Sequence, residues 1–280
     1  MRLVINRSHG HLRFMDFRVG NYEAKRDLLD QVARQEGLRK IFTLVEKQDS
    51  NGWRTMGFIR EGVYPGFFRT ADAYIMSRIY DEESLPLAMT ALKSAGEDLR
   101  FQGRKIGKPD GLRMEEIADE GARATVVQRL NGALRGVPFG RDKAPELVLH
   151  VKARTGESWV CVEIDESFGT ATIGFAPPPA ADSTLILSAY AGNSLMGALK
   201  EREVNNAFGL TAAGDRWSNE LYSGLGFKVM GRLAAHLRAP GGEYLHALLW
   251  HRRLAAPAVE LPHPTHHSHH AHHSPHSSAI

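Results

Sequence analysis

The stretch SNELYSGLGFKVMG, residues 218–231, decides the fold. It reads as a short amphipathic helix that stops at Gly226-Phe227 and passes directly into a strand. A second Gly-Phe pair stands far upstream in NGWRTMGFIREGVYPGFF, residues 51–68, in similar surroundings. Working outward from the two pairs gives two comparable segments, residues 40–80 and 206–254. Each opens with a short apolar strand, Ile41 to Val45 or Ala207 to Leu210. Each continues through a polar turn into a short helix carrying a tryptophan, Trp53 or Trp217, and ends that helix in Gly-Phe. Two more strand-like runs follow, with Ala73-Tyr74 set against Tyr244. A duplicated strand–helix–strand–strand unit is the simplest account.

Other elements fill in around these units. Leu28, Leu29, Val32 and Ala33 give an apolar face to a helix over residues 22–35, which Gly37 stops. EEIADEGARATVVQRLNGAL, residues 115–134, reads as one or two helices. ELVLHVKA, WVCVEID, TATIGFA and TLILSAYA, the last at residues 184–191, read as strands rich in Val, Ile, Leu and Thr. DESFG reads as a hairpin-like turn, APPPAADS as a loop and NSLMGALKERE as a short helix. The expected fold class is α/β (α+β): a mixed twisted sheet with helices on both faces, preceded by a partial copy of the strand–helix–strand–strand unit. The expected division is an N-terminal unit at 1–105, a main domain at 110–255 and a disordered His-rich tail at 256–280.

Composition limits the function. The 280 residues are 42% hydrophobic and 24% charged, which suits a sizeable core without a metal or disulfide staple. The single cysteine, Cys161, allows no intrachain disulfide and fits a reducing compartment, so the chain is expected to be cytoplasmic. The N-terminus has no signal-peptide pattern, and no stretch is long and apolar enough to span a bilayer as a helix. The net charge of +3 comes without a concentrated Lys/Arg face, which argues against nucleic acid. The tail holds eight histidines between His263 and His276. It reads as a solvated segment, with weak binding of zinc, nickel or copper as its functional alternative. No metal is required by the rest of the chain.

The element order, with Asn219, Leu221-Tyr222, Gly226-Phe227 and Gly231, resembles the GNAT superfamily of acyl-CoA N-acyltransferases. The segments GFIREGVYPGFFRTADAYIMSRIY and GLGFKVMGRLAAHLRAPGGEYLHALLWHRRL look, more narrowly, like those of the beta-lysine N-acetyltransferases. The resemblance implies acetyl-CoA as co-substrate and a small primary amine, such as a beta-lysine-like diamino acid, as acceptor. It implies a fourth strand splayed from the fifth, so that unpaired backbone groups meet the pantetheine arm, and a helix N-terminus that holds the pyrophosphate. By position TLILSAYA would be that strand, through Leu187 and Ala189, and GNSLMG the phosphate loop, through Gly192, Asn193, Ser194, Leu195 and Gly197. This loop departs from the family pattern, which begins with Arg or Gln and has closer glycines. Asn219 would contact pantetheine, and Tyr222 would protonate the leaving thiolate. A base must also take the amine's proton, and Glu163, which alternates to one strand face with Cys161 and Asp165, is the candidate. Glu61, Tyr64 and Asp72 of the first unit would meet a cationic amine. The alternative is a catalytically inactive binding or regulatory module that has lost the phosphate loop and works through a protein partner.

Overall fold

The computed structural model describes residues 1–7, 9–16, 18, 20–68, 70–80, 107–129, 145–176, 179–239 and 241–254. The tail and the expected boundary at residue 105 lie outside the described residues. The first half runs β1 (Arg2–Asn6), β2 (His11–Met15), α1 (Tyr22–Glu36), β3 (Lys40–Val45), α2 (Lys47–Thr55), β4 (Ile59–Tyr64) and β5 (Ala73–Ile79). After β6 (Arg113–Glu116) and α3 (Glu120–Arg129) come β7 (Leu147–Ala153), β8 (Gly156–Asp165), β9 (Thr170–Ala176) and α4 (Asp182–Glu201). The chain then forms β10 (Asn206–Ala212), α5 (Arg216–Gly224), β11 (Lys228–Arg238) and β12 (Tyr244–Arg253). The strands make one mixed sheet in the order β1-β2-β3-β5-β4-β11-β12-β10-β9-β8-β7-β6.

That order reads the same from both sides of its β4–β11 junction. In the first half β2 and β3 are parallel and β3, β5 and β4 antiparallel; in the second, β9 and β10 are parallel and β10, β12 and β11 antiparallel. The repeating arrangement is therefore larger than the expected strand–helix–strand–strand unit. It includes α1, answered by α4, and the β1–β2 hairpin, answered by β8–β9. The sequence reading missed β1 and β2, and β6 occupies the start of the segment expected to be helical.

The two Gly-Phe pairs close their helices in the same way. Gly57 and Gly226 have φ of 84° and 78°, a conformation that glycine adopts without strain. Phe58 N donates to Trp53 O and Phe227 N to Tyr222 O, at 3.1 and 3.0 Å. With the pairs aligned, Trp53 stands where Tyr222 stands, and Gly62 where Gly231 stands. Trp53 thus matches Tyr222, not Trp217 as expected. Likewise Ala73 matches Ala247, each opposite the residue two beyond the aligned glycine, so the expected match of Ala73-Tyr74 with Tyr244 is out of register.

Gly62 and Gly231 pair with each other, and a Cβ on either would lie under 3 Å from the other's Cα. Beside this contact a buried ion pair joins the halves. Lys40 Nζ lies 2.6 Å from Glu61 Oε2 and donates to Ala234 O at 2.9 Å. Ala234 N donates to the other Glu61 oxygen at 2.7 Å, and Ser77 Oγ donates to Oε2 at 2.5 Å. Helices cover both faces: α4 and α5 pack on the core of β7–β12, while Val126 of α3 packs against Val148 and Cys161 on the opposite face.

Candidate active site

Two neighbouring strands part at one place. β9 and β10 pair in parallel from Thr170–Asn206 to Ile173–Gly209 and no further. β9 stays on β8 to Ala176, and β10 stays on β12 to Ala212. The facing edges of residues 174–176 and 210–212 are left without ladder partners, as an extended ligand requires of a strand it is to join.

Tyr222 stands where the strands divide. Its hydroxyl donates to Ile173 O at 2.6 Å, from the last paired residue of β9. The ring lies edge-on to Phe175 and Phe227 and stacks on Trp250. Gly209 makes the approach feasible, because a Cβ there would meet the ring at 2.1 Å. Burial raises the phenol above its ordinary pKa, so it carries its proton at neutral pH. Asn219 is also buried, but both of its polar atoms are engaged within the fold. Its Oδ1 accepts from Thr211 Oγ1 at 2.5 Å, and its Nδ2 donates to Ala213 O at 3.0 Å. Trp250 Nε1 donates to the same threonine oxygen at 2.8 Å. Asn219, Thr211 and Trp250 brace the free end of β10; the sequence reading gave Asn219 a pantetheine contact instead and missed the other two.

The expected cofactor strand and phosphate loop are overturned. Residues 184–197 form neither strand nor loop but the middle of α4, a single helix of 20 residues. Leu187, Ala189, Gly192 and Leu195 are buried in the core, and Asn193 and Gly197 are exposed on the helix, with Ser194 between these extremes. Their amides run along the helix instead of forming an anion cradle at its start. The splayed strand is β9, TATIGFA, and residues 177–181 join it to the helix.

Glu163 and Asp165 do share a face of β8, as expected. Both border a cavity of about 30 Å³ with Tyr64, Phe67, Thr170, Thr172 and Phe208. Such a space admits a water, not an amine. Cys161 is buried on the same face, and burial, with the Glu163 charge second, pushes its thiol up to about 12. It is therefore an un-ionised core side chain. The three expected acceptor residues do not converge. Tyr64 packs on Phe208 beside Glu163, with ring centroids 4.6 Å apart. Glu61 and Asp72 border a different cleft, of about 480 Å³, at the β4–β11 junction with Arg60, Tyr74 and Arg232. Glu61, expected to meet the amine, does not face the cleft with its charge: its carboxylate is buried and turned inward onto Lys40. Asp72 Oδ1 accepts from Gly66 N at 2.8 Å.

Tested against acetyl-CoA, this donor set divides. The parted edges suit the uncharged, amide-bearing pantetheine arm, and Tyr222 at their apex suits a sulfur needing a proton. The start of α4 does not suit a diphosphate. Pro177, Pro178 and Pro179 have no N–H, the Ala180 and Ala181 amides both donate to Thr184 Oγ1 at 3.1 Å, and Asp182 adds a negative charge. Among the described residues, no group of three or more His, Cys, Asp or Glu is placed to hold a metal, and no helix is long and apolar enough to cross a membrane.

No protein-family model matches the chain, and no curated protein matches it. Solved structures do. The ribosomal-protein-S18-alanine N-acetyltransferase of Escherichia coli is similar at 13% identity and a TM-score of 0.40, over 53% of this chain and 99% of that one. An N-acetyltransferase of Staphylococcus aureus is similar at 10% identity and 0.39, over 52% and 100%. A Salmonella typhimurium protein assigned as an acetyltransferase, solved with its cofactor acetyl-CoA, is similar at 14% and 0.39, over 53% and 99%.

Proposed function

We propose that the chain is an N-acyltransferase that moves an acyl group from a pantetheine thioester to a small primary amine. The observation that carries this reading is the parting of β9 and β10 with a protonated, buried phenol at the apex. The thioester arm lies along the free edges of residues 174–176 and 210–212, where its amides pair as a strand's would. Glu163 takes the proton that the amine must lose, through a water in the cavity it borders. The amine nitrogen then bonds to the acyl carbon and the carbon–sulfur bond breaks. Tyr222 releases its hydrogen bond to Ile173 and gives its proton to the departing sulfur. Attack is direct, since the site presents no ionised thiol for a covalent relay. We take the acceptor to be a beta-lysine-like diamino acid, its ammonium groups attracted by Glu163 and Asp165 from outside the water-sized cavity that these carboxylates border.

The test is acylation of a panel of diamino acids and diamines, with acetyl-CoA and S-acetylpantetheine as donors, followed by mass of the product. Acylated product whose formation depends on Tyr222 supports the reading; no product with either donor at millimolar concentration refutes it. The composition of the α4 start favours a second reading, a catalytically inactive binding module of the same fold. On that reading Tyr222→Phe leaves the biological function intact.

A further inference from the structure

From Thr155 to Leu199 the chain carries no Lys or Arg, and it carries five carboxylates: Glu157, Glu163, Asp165, Glu166 and Asp182. This stretch contains β9, the connection after it and nearly all of α4. A diphosphate bound at the start of α4 would need amide donors and positive charge there. The three prolines supply no donors, and the next two amides are held by Thr184, whose hydroxyl in turn donates to Ala181 O at 2.9 Å. Asp182, the first residue of the helix, is an exposed anion at that start. Its carboxylate already answers the positive end of the helix dipole. The open edges of β9, which ends six residues before Asp182, and of β10 offer an uncharged arm the backbone partners it needs. The site is thus built for one end of a CoA thioester and against the other.

We infer that the acyl donor is recognised through its pantetheine arm alone, and that the diphosphate and nucleotide of CoA add nothing to its binding. This rests on the acyltransferase reading above. The substrate class is an acyl pantetheine thioester, presented free or as the phosphopantetheine arm of a carrier protein.

The full chain should be titrated calorimetrically, and assayed with a diamine acceptor, using acetyl-CoA, S-acetylpantetheine and an acetylated carrier protein. The inference expects Kd and KM for S-acetylpantetheine and acetyl-CoA within about threefold of each other, well under the tenfold that corresponds to 1.4 kcal/mol. Acetyl-CoA binding tighter by tenfold or more overturns the inference and leaves the acyltransferase reading standing. If none of the three donors binds or reacts at millimolar concentration, both fall. Faster use of the carrier-borne arm than of S-acetylpantetheine supports the inference and names the protein-borne source; refusal of it, with S-acetylpantetheine accepted, supports the inference with a free thioester. A variant joining Thr184→Val to Asp182→Lys frees two amides and adds a cation. It should bind acetyl-CoA about tenfold more tightly and S-acetylpantetheine as before; unchanged acetyl-CoA binding would show that the diphosphate lies elsewhere and overturn the inference.

Discussion

Tyr222 carries two demands on one proton. In the structure its hydroxyl satisfies the buried Ile173 carbonyl; in the proposed reaction it must supply a leaving sulfur. The two roles separate on substitution. Tyr222→Phe keeps the ring and its packing against Phe175, Phe227 and Trp250 but orphans a buried acceptor. Stability should fall by about 1–3 kcal/mol, the usual cost of an unsatisfied buried group. If the phenol is the general acid, kcat should also fall by roughly a hundredfold or more, with donor KM nearly unchanged. Urea unfolding and steady-state kinetics on the same variant check both; a stability loss with kcat intact assigns the tyrosine to structure only. Because burial raises its pKa, the phenol should remain a donor beyond the range where an exposed tyrosine ionises. No alkaline loss of kcat below about pH 10 should trace to it.

At the scale of elements, α4 is the instructive case. The run TLILSAYAGNSLMG looks like a strand entering a glycine loop only if Gly192 is taken as a break. Leu185, Ser188 and Ala189, Gly192, Leu195 and Met196, and Leu199 are all buried and recur at helical spacing. Gly192 belongs to that stripe because a Cβ there would press on Leu225 at 2.6 Å and on Phe175 at 3.1 Å. It permits close packing of α4 on α5, and helix propensity yields to that contact. Gly197 has no such duty, being exposed with nothing within 4 Å of an added Cβ. Gly197→Ala should therefore stabilise the protein by about 1 kcal/mol, the propensity difference in a helix interior, and raise Tm by roughly 2–4 °C. Calorimetric melting decides it, and a fall in Tm would contradict a helix at this position. What was legible in the sequence was local: the α1 stop at Gly37, both Gly-Phe closures, β7 to β9, and the shared face of Glu163 and Asp165. The site's donor side was not, because shifting one strand to a helix moved the splayed strand from residues 184–191 to 170–176. The bracing of β10 by Thr211 and Trp250 joins three elements that no sequence spacing brings together.

The whole molecule is held at its midline by groups that are costly to bury alone. His11 of β2 donates from Nε2 to Ala235 O at 3.1 Å, and its ring lies 4.7 Å from that of His236. Burial first, then the Lys40 charge, lowers its pKa from 6.5 to about 3. A depressed folded pKa contributes stability above the unfolded value and loses it as pH falls, since only the unfolded chain takes up the proton. Stability should thus fall below about pH 6.5, by roughly 2 kcal/mol at pH 5 from this residue. The gap between urea midpoints at pH 7.5 and 5 should narrow in His11→Gln without closing, because burial also lowers the pKa of His246 and of His251; an unchanged gap would clear His11 of the effect. The Lys40–Glu61 pair gives the stronger test of whether the halves depend on each other, because Lys40 and Ser77 come from one half and Ala234 from the other. Burial lowers the Lys40 pKa and Glu61 opposes that shift, so each charge is tolerable only beside its partner. Lys40→Met leaves a buried carboxylate without its cation, while Glu61→Gln leaves the lysine without its anion but keeps an acceptor for Ala234 N. Each should destabilise by about 3–5 kcal/mol, a large part of the 5–15 kcal/mol typical of a folded domain. The double variant removes both charges together and should lose less than the sum of the two, with a coupling of about 1–3 kcal/mol. Equilibrium unfolding followed in each half, by Trp53 and by Trp250 fluorescence in single-tryptophan backgrounds, should show the two halves melting together in the wild type. If the single variants instead unfold one half with the other intact, the midline pair is a local contact and the halves are stable apart.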